Sequence, residues 1–274
     1  MVIKGGFSLI KLAIIGGTGV YDFNEQIGAN VTFEEIDTPY GTVKFKVFER
    51  DGKSVAFIPR HGSEHSIAPH KINYRANIWA IKKMGAESIL STSAVGSTRF
   101  FVRPGDFLIP HQFLDFTKSR EGTFFDSPEK GVVHVDLTTP YCARMNLMLV
   151  QIAEDLGFKC HDRGTYVCTE GPRFETTAEI EMFGNLGGDV VGMTSVPEVV
   201  LAREAEICYS TICLVTNFGA GTSLTNLTHK EVVDAMEANK SNIRKFILAA
   251  IERMEFLPEC PCRNALAEYG GFKL

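Results

Sequence analysis

The chain has 274 residues, 45% hydrophobic and 22% charged, with 28 basic against 33 acidic residues for a net charge of −5. That length and composition suit one large folded domain whose core needs neither disulfides nor metal. The acidic balance, without a basic cluster, argues against nucleic acid or an acidic membrane surface as a main partner, and no apolar run reaches the roughly 18 residues of a membrane span. The opening MVIKGGFSLIKLAII is broken by Lys4, Gly5-Gly6 and Lys11, so it reads as the approach to a first strand and not as a signal peptide. A cytoplasmic enzyme is the expected class.

That first strand empties into Ile14-Ile15-Gly16-Gly17-Thr18-Gly19-Val20-Tyr21-Asp22. Amides in such a loop cradle an anion or merely turn the chain. Asp22 stands where a dinucleotide fingerprint needs its third glycine, and no lysine follows as a Walker loop requires. Residues 42–48 alternate as a half-buried strand, Asp51-Gly52 supplies a hairpin turn, and 55–58 form an apolar strand. A helix is expected over 72–84, with Ile72, Ala76 and Trp79 on one face and Gly85 as its stop. Further strands are expected near 88–93, 164–168, 189–192 and 210–215, with helices at 141–156, 176–186 and 196–206. The last helix starts at a capping box, Thr228 to Glu231, and runs to about Met254. This alternation predicts a single α/β domain with a mixed, mostly parallel sheet flanked by helices, having its core at 11–254 and a tail at 255–274.

Ligands of such sheets sit outside the carboxyl ends of the strands. One end carries Arg60 and His61, a guanidinium fork and a ring N–H suited to an oxyanion. Another carries Ser93-Ala94-Val95-Gly96-Ser97, and a third Met193-Thr194-Ser195. Each alone is equally a satisfied turn; together with the glycine loop they fit a phosphate-sized pocket. Phe174 and Glu175 could stack on a flat polar ring and accept its N–H, or simply begin a helix. Asn217 offers a donor and an acceptor, or serves as a turn former.

Cys142, Cys160, Cys168, Cys208 and Cys213 lie in apolar segments, where cysteine behaves as a small buried hydrophobe. Cys260-Pro261-Cys262 has too few thiols for zinc, which wants four ligands, and reads either as a short-loop disulfide or as an inert pair. No metal site is expected.

Taken in order, IIGGTGVYDF, IPRHGSEH, HKINYRANIWAI, STSAVGS, TEGPRFE and GMTSVPEVVLAREA resemble the purine nucleoside phosphorylase and methylthioadenosine phosphorylase family over roughly residues 11 to 254. The resemblance implies trimers or hexamers, inorganic phosphate as nucleophile, and no cofactor. Carried over by position, Thr18, Arg60, His61, Ser93, Ala94 and Thr194 would hold phosphate. Phe174 would stack on the base, Met193 would lie under the ribose, and His134 would reach a neighbouring subunit's sugar pocket.

The methylthioadenosine branch has Thr-Asp-x-Asp where this chain has Thr216-Asn217-Phe218-Gly219. An amide can donate to N7 or to a 6-oxo group. Glu175, where the adenine branch has serine, can accept the N1–H of hypoxanthine or guanine but would face a lone pair on adenine. Asn217, Glu175 and His61 are therefore the expected catalytic groups, and a 6-oxopurine nucleoside such as inosine or guanosine is the expected substrate. His229 resembles a histidine that contacts the 5′-hydroxyl, or is only a polar residue in a first helical turn. A 5′-methylthioinosine or 5′-methylthioadenosine phosphorylase is the alternative, and a non-catalytic nucleoside-binding protein the different-class one.

Overall fold

The strands form one mixed sheet in the computed structural model, which describes residues 10–17, 20, 31–62, 64, 66–129, 131–223, 227–256 and 259–274. Strand β1 (Leu12–Gly16) is buried at every position. Its neighbours explain that: β4 (Lys53–Pro59) and β5 (Ser88–Ser97) flank it in parallel, and helices cover both faces. β2 (Thr32–Thr38) and β3 (Gly41–Arg50) continue the sheet beyond β4 as an antiparallel meander. Val43, Phe45 and Val47 of β3 point inward as the alternation predicts. Asp51 and Gly52 close the hairpin with φ of +50° and +71°, the left-handed pair a two-residue turn favours.

β5 is the hub. Along one edge it pairs first with β1, then with β10 (Val190–Gly192), which runs antiparallel to it. β9 (Thr165–Thr169) and β7 (Gln112–Phe116) extend that side. Along the other edge it pairs in parallel with β11 (Cys208–Phe218), then come β6 (Phe107–Leu108) and β8 (Cys160–His161). Between Val215, opposite Val95, and Asn217, opposite Gly96, β11 carries one extra residue, Thr216. Such a bulge re-aims the side chains that follow it.

Alternate residues of β1 feed two cores, as strand geometry requires. Ala13 and Ile15 pack with α1 (Tyr74–Lys83) and α4 (Ser195–Glu204), whereas Leu12 and Ile14 pack with α2 (Ala143–Asp155) and α5 (His229–Arg253). α3 (Thr177–Asn185) covers Val167 and Val191 through Ile180 and Phe183. Ile72, Ala76 and Trp79 are buried as expected, and Gly85 ends that helix at φ +86°.

The differences from the sequence reading have local causes. Strands β6 and β8 have two residues each, too few for a periodic signal. α4 loses helical geometry at Val196, the residue before Pro197, a position proline disfavours for helix. At α5, Thr228 accepts from the Glu231 amide, but no return bond from Glu231 is present among the described residues. The complete box is at α3, where Thr176 and Glu179 each bond the other's backbone.

The tail packs back on the domain. Glu206 accepts from the amides of Leu266 and Phe272, and the Phe272 ring lies against Trp79 and Phe124. Among the described residues no helix is long and apolar enough to cross a membrane.

Candidate functional site

A cavity of about 350 Å³ opens where β1, β4, β5, β10 and β11 end. It is lined by Arg60, His61, Ser93, Ala94, Phe174, Glu175, Met193, Thr194, Asn217 and His229, all singled out from the sequence. Thr18 lies outside the described residues. His134 lies elsewhere: it is exposed, and its amide donates to the Tyr269 hydroxyl.

At one end β1 brings Gly17 against β5, with its amide donating to Thr92 Oγ1 at 3.0 Å. A Cβ there would sit 2.8 Å from the Thr92 carbonyl oxygen and 2.9 Å from Arg60 Nη1, so only glycine permits the approach. Arg60 departs from the expected role. Its fork is engaged by Glu198, with Nε and Nη2 each 2.8 Å from a carboxylate oxygen, while Nη1 donates to Thr92 O. Nη2 also donates to Ser91 Oγ. That leaves one Nη1 hydrogen for a ligand, not a bidentate grip. Burial opposes the charge on Arg60, and the adjoining Glu198 carboxylate more than offsets it, raising the pKa.

His61 Nδ1 lies 2.8 Å from the Ile67 carbonyl, which can only accept, so Nδ1 carries a hydrogen. Nε2 then donates when the ring is protonated. Ser93 Oγ stands 3.1 Å from Tyr166 Oη and 3.5 Å from Thr194 Oγ1, and the Thr194 amide donates to Tyr166. Tyr166, fully buried, therefore positions the Ser93 hydroxyl and the Thr194 backbone. A Cβ at Gly192 would come within 2.1 Å of its Oη.

The opposite end reads differently. Asn217 Nδ2 donates to the Phe218 carbonyl at 2.9 Å, which fixes the amide's orientation, and Oδ1 accepts from Thr216 Oγ1 at 2.7 Å. One amide hydrogen remains. A Cβ at Gly96 would lie 3.0 Å from that nitrogen. Glu175 precedes the Thr176 cap of α3 and accepts from Thr169 Oγ1 at 2.6 Å. Burial raises its pKa, and the Thr169 bond only partly opposes this. Phe174 is 38% exposed and presents its ring to the cavity.

Sequence reasoning missed three contributors. In sequence Glu198 carries no more signal than any acid in a first helical turn, and Tyr166 no more than any aromatic in an apolar strand. Arg120, from a segment without periodicity, donates to the carbonyls of Thr169, Glu170, Met193 and Val196 and ion-pairs with Glu170. It ties the Phe174 loop to the Met193 strand end. The cavity thus offers hydroxyls, amides and a cation at one end, and an apolar ring flanked by an amide and a carboxylate at the other. Such an arrangement suits a small oxyanion beside a flat heterocycle.

Comparison with known proteins agrees with that chemistry. The chain is 53% identical over 256 residues to a probable 6-oxopurine nucleoside phosphorylase of Moorella thermoacetica, covering 93% of this chain and 98% of that one. It is 50% identical over 256 residues to a probable S-methyl-5′-thioinosine phosphorylase of Methanothermobacter thermautotrophicus, covering 93% and 88%. Methylthioadenosine phosphorylase from Schistosoma mansoni, solved with adenine, superposes with a TM-score of 0.88 at 31% identity, covering 96% and 99%. With the model of the Phosphorylase superfamily matching residues 11–252, the single α/β domain described above belongs to that family.

Proposed function

We propose that this chain cleaves the N-glycosidic bond of 6-oxopurine nucleosides with inorganic phosphate, giving a free base and ribose 1-phosphate. The observation that carries the reading is that the Asn217 amide and the Glu175 carboxylate line one cavity together with Phe174. A 6-oxopurine presents an N1–H to accept and an N7 lone pair to receive a donor; adenine presents the opposite pattern at N1. A site built for one pattern rejects its opposite by about 10⁴–10⁵.

In the proposed step a phosphate oxygen bonds to C1′ as the C1′–N9 bond breaks, and its electron pair leaves on the purine. Phosphate is held by Ser93 Oγ, Thr194 Oγ1, the remaining Nη1 hydrogen of Arg60 and the ring of His61, which the Ile67 carbonyl orients. The Ala94 amide region completes that shell. Positioning supplies much of the rate, and the preset Asn217 donor stabilises negative charge on the departing base. Met193 packs beneath the sugar. No side chain forms a covalent bond, and the reading calls for no cofactor.

An oligomer belongs to this reading. His134 is exposed and distant from its own cavity, as expected of a side chain lent to a neighbouring subunit's sugar. The 5′ end of the sugar falls near His229, which favours a hydroxyl. Leu227 and Val232 beside it favour the second reading, a 5′-methylthio group, in line with the thioinosine phosphorylase relative.

The test is base release from inosine, guanosine, methylthioinosine, adenosine and methylthioadenosine, each with and without phosphate. Phosphate-dependent release from inosine and guanosine is expected. Release from methylthioinosine alone would keep the base reading and discard His229 as a hydroxyl reader. A preference for methylthioadenosine would sink the base reading. Binding without any release would mark a nucleoside-binding protein.

A further inference from the structure

Four cysteines that the catalytic reading does not use meet far from each other in sequence. Cys142 is the residue before α2, Cys208 opens β11, and Cys260 and Cys262 flank Pro261 at the start of a short 3₁₀ turn in the tail. All four are buried, all are free thiols, and their sulfurs lie within 4.8 Å of one another. The two-thiol count taken from the tail was therefore incomplete: folding supplies the other two ligands.

The spacing is informative. Cys142 Sγ and Cys260 Sγ are 3.7 Å apart, well beyond a disulfide bond of about 2.05 Å. Four thiolates arranged tetrahedrally at about 2.3 Å from zinc stand roughly 3.8 Å from one another. Buried thiols without metal gain little from gathering, since each is a weak donor and a weak acceptor.

The surroundings carry the matching charge. A zinc ion held by four thiolates has a net charge of −2. Arg144, in the first turn of α2, lies against the sulfurs of Cys142, Cys208 and Cys260. Its Nε is buried with no hydrogen-bond partner among the described residues, leaving a donor for a charged sulfur. Arg203 adds positive potential near Cys262, and Cys142 sits at the N-cap of α2, the positive end of that helix. Cationic and N–H neighbours of this kind are how a protein holds a metal-bound thiolate.

We propose that Cys142, Cys208, Cys260 and Cys262 bind one structural zinc ion that fastens the C-terminal tail to α2 and β11. Binding displaces four thiol protons and leaves zinc without an open position, so the site has no catalytic part. Its role is mechanical. The same tail carries the amides clasped by Glu206 and the Tyr269 hydroxyl that receives the His134 amide.

The experiment is metal analysis of the full-length protein purified from zinc-containing medium, with mass-spectrometric mapping of alkylated cysteines. About one zinc per chain is expected, with all seven cysteines recovered as thiols after denaturation in chelator. Cys262→Ser should lose the zinc, and Cys160→Ser, outside the cluster, should keep it. Should Cys262→Ser fail to fold, cobalt exchanged into the wild-type protein should give thiolate-to-cobalt charge-transfer absorption. Metal-free protein with no cobalt band would overturn the proposal. So would Cys142–Cys208 or Cys260–Cys262 disulfides in the freshly purified protein, and bound iron would overturn the choice of zinc.

Discussion

Arg60, Ser93 and Thr194 are buried at one end of the cavity and bonded to protein neighbours before any ligand arrives, whereas at the other end Phe174 is 38% exposed and His229 sits on the surface of α5. The first end is part of the core: its polar groups are held by Glu198, Ser91, Thr92 and Tyr166. The second is mounted on the core through a few contacts, chiefly those of Asn217 and Glu175. Substitutions at the buried end should therefore disturb stability and catalysis together, and substitutions at exposed Phe174 and His229 should change selectivity with little effect on folding.

The largest effect should come from Arg60→Ala. It leaves Glu198 as an unpaired buried carboxylate, a loss of about 3–5 kcal/mol measurable by denaturant unfolding. Among molecules that stay folded, KM for phosphate should rise more than KM for nucleoside. An unchanged midpoint would show that the pair is not part of the core. Next is Asn217→Asp, expected to lower kcat/KM for inosine by about 10²–10³ and to raise the relative rate with adenosine. The melt should fall as well, by about 1–3 kcal/mol of stability, because Asn217 is buried and the change sets a carboxylate oxygen against the Phe218 carbonyl; an unchanged melt would show that position 217 is not part of the core.

Glu175 sharpens the comparison through pH. Burial raises its pKa above the ordinary 4.5, so the folded site takes up a proton before an unfolded chain would. As pH falls towards that raised value the carboxylate is lost as acceptor for N1–H, and KM for inosine should climb. In Glu175→Ser this acid limb should vanish from the KM profile. The sign for stability is opposite: ionising a buried carboxylate works against folding above the unfolded pKa, and that cost disappears as pH falls below it. The smallest change expected is His229→Leu, which should shift preference from inosine towards methylthioinosine by about tenfold. No shift would remove His229 from sugar reading.

What the sequence made legible was local. A strand end is written in consecutive residues, so Arg60-His61, Ser93-Ala94 and Met193-Thr194 could be read as candidates, and the doubly wound alternation predicted one sheet that would gather them. Pairings across the fold were hidden. Glu198 is 138 positions from Arg60, and nothing near either residue announces that they share a buried ion pair. The four clustered cysteines come from three separate segments, so counting within Cys260-Pro261-Cys262 found only two. Arg120 acts through backbone carbonyls, which leave no trace in side-chain pattern.

The extra residue in β11 also bears on how this site can change. Thr216 has no opposite number on β5, and the next residue, Asn217, resumes the ladder opposite Gly96. Residues two apart in a regular strand share a face, so the extra residue is what lets Val215 and Asn217 face opposite ways, each beside its partner on β5. Substituting Asn217 edits one hydrogen-bond donor; removing Thr216 would leave Asn217 opposite Gly96 and take away the hydroxyl that donates to its Oδ1. Variation in the substrate range of this scaffold is thus most directly open through replacement at position 217, whose place the ladder with Gly96 holds.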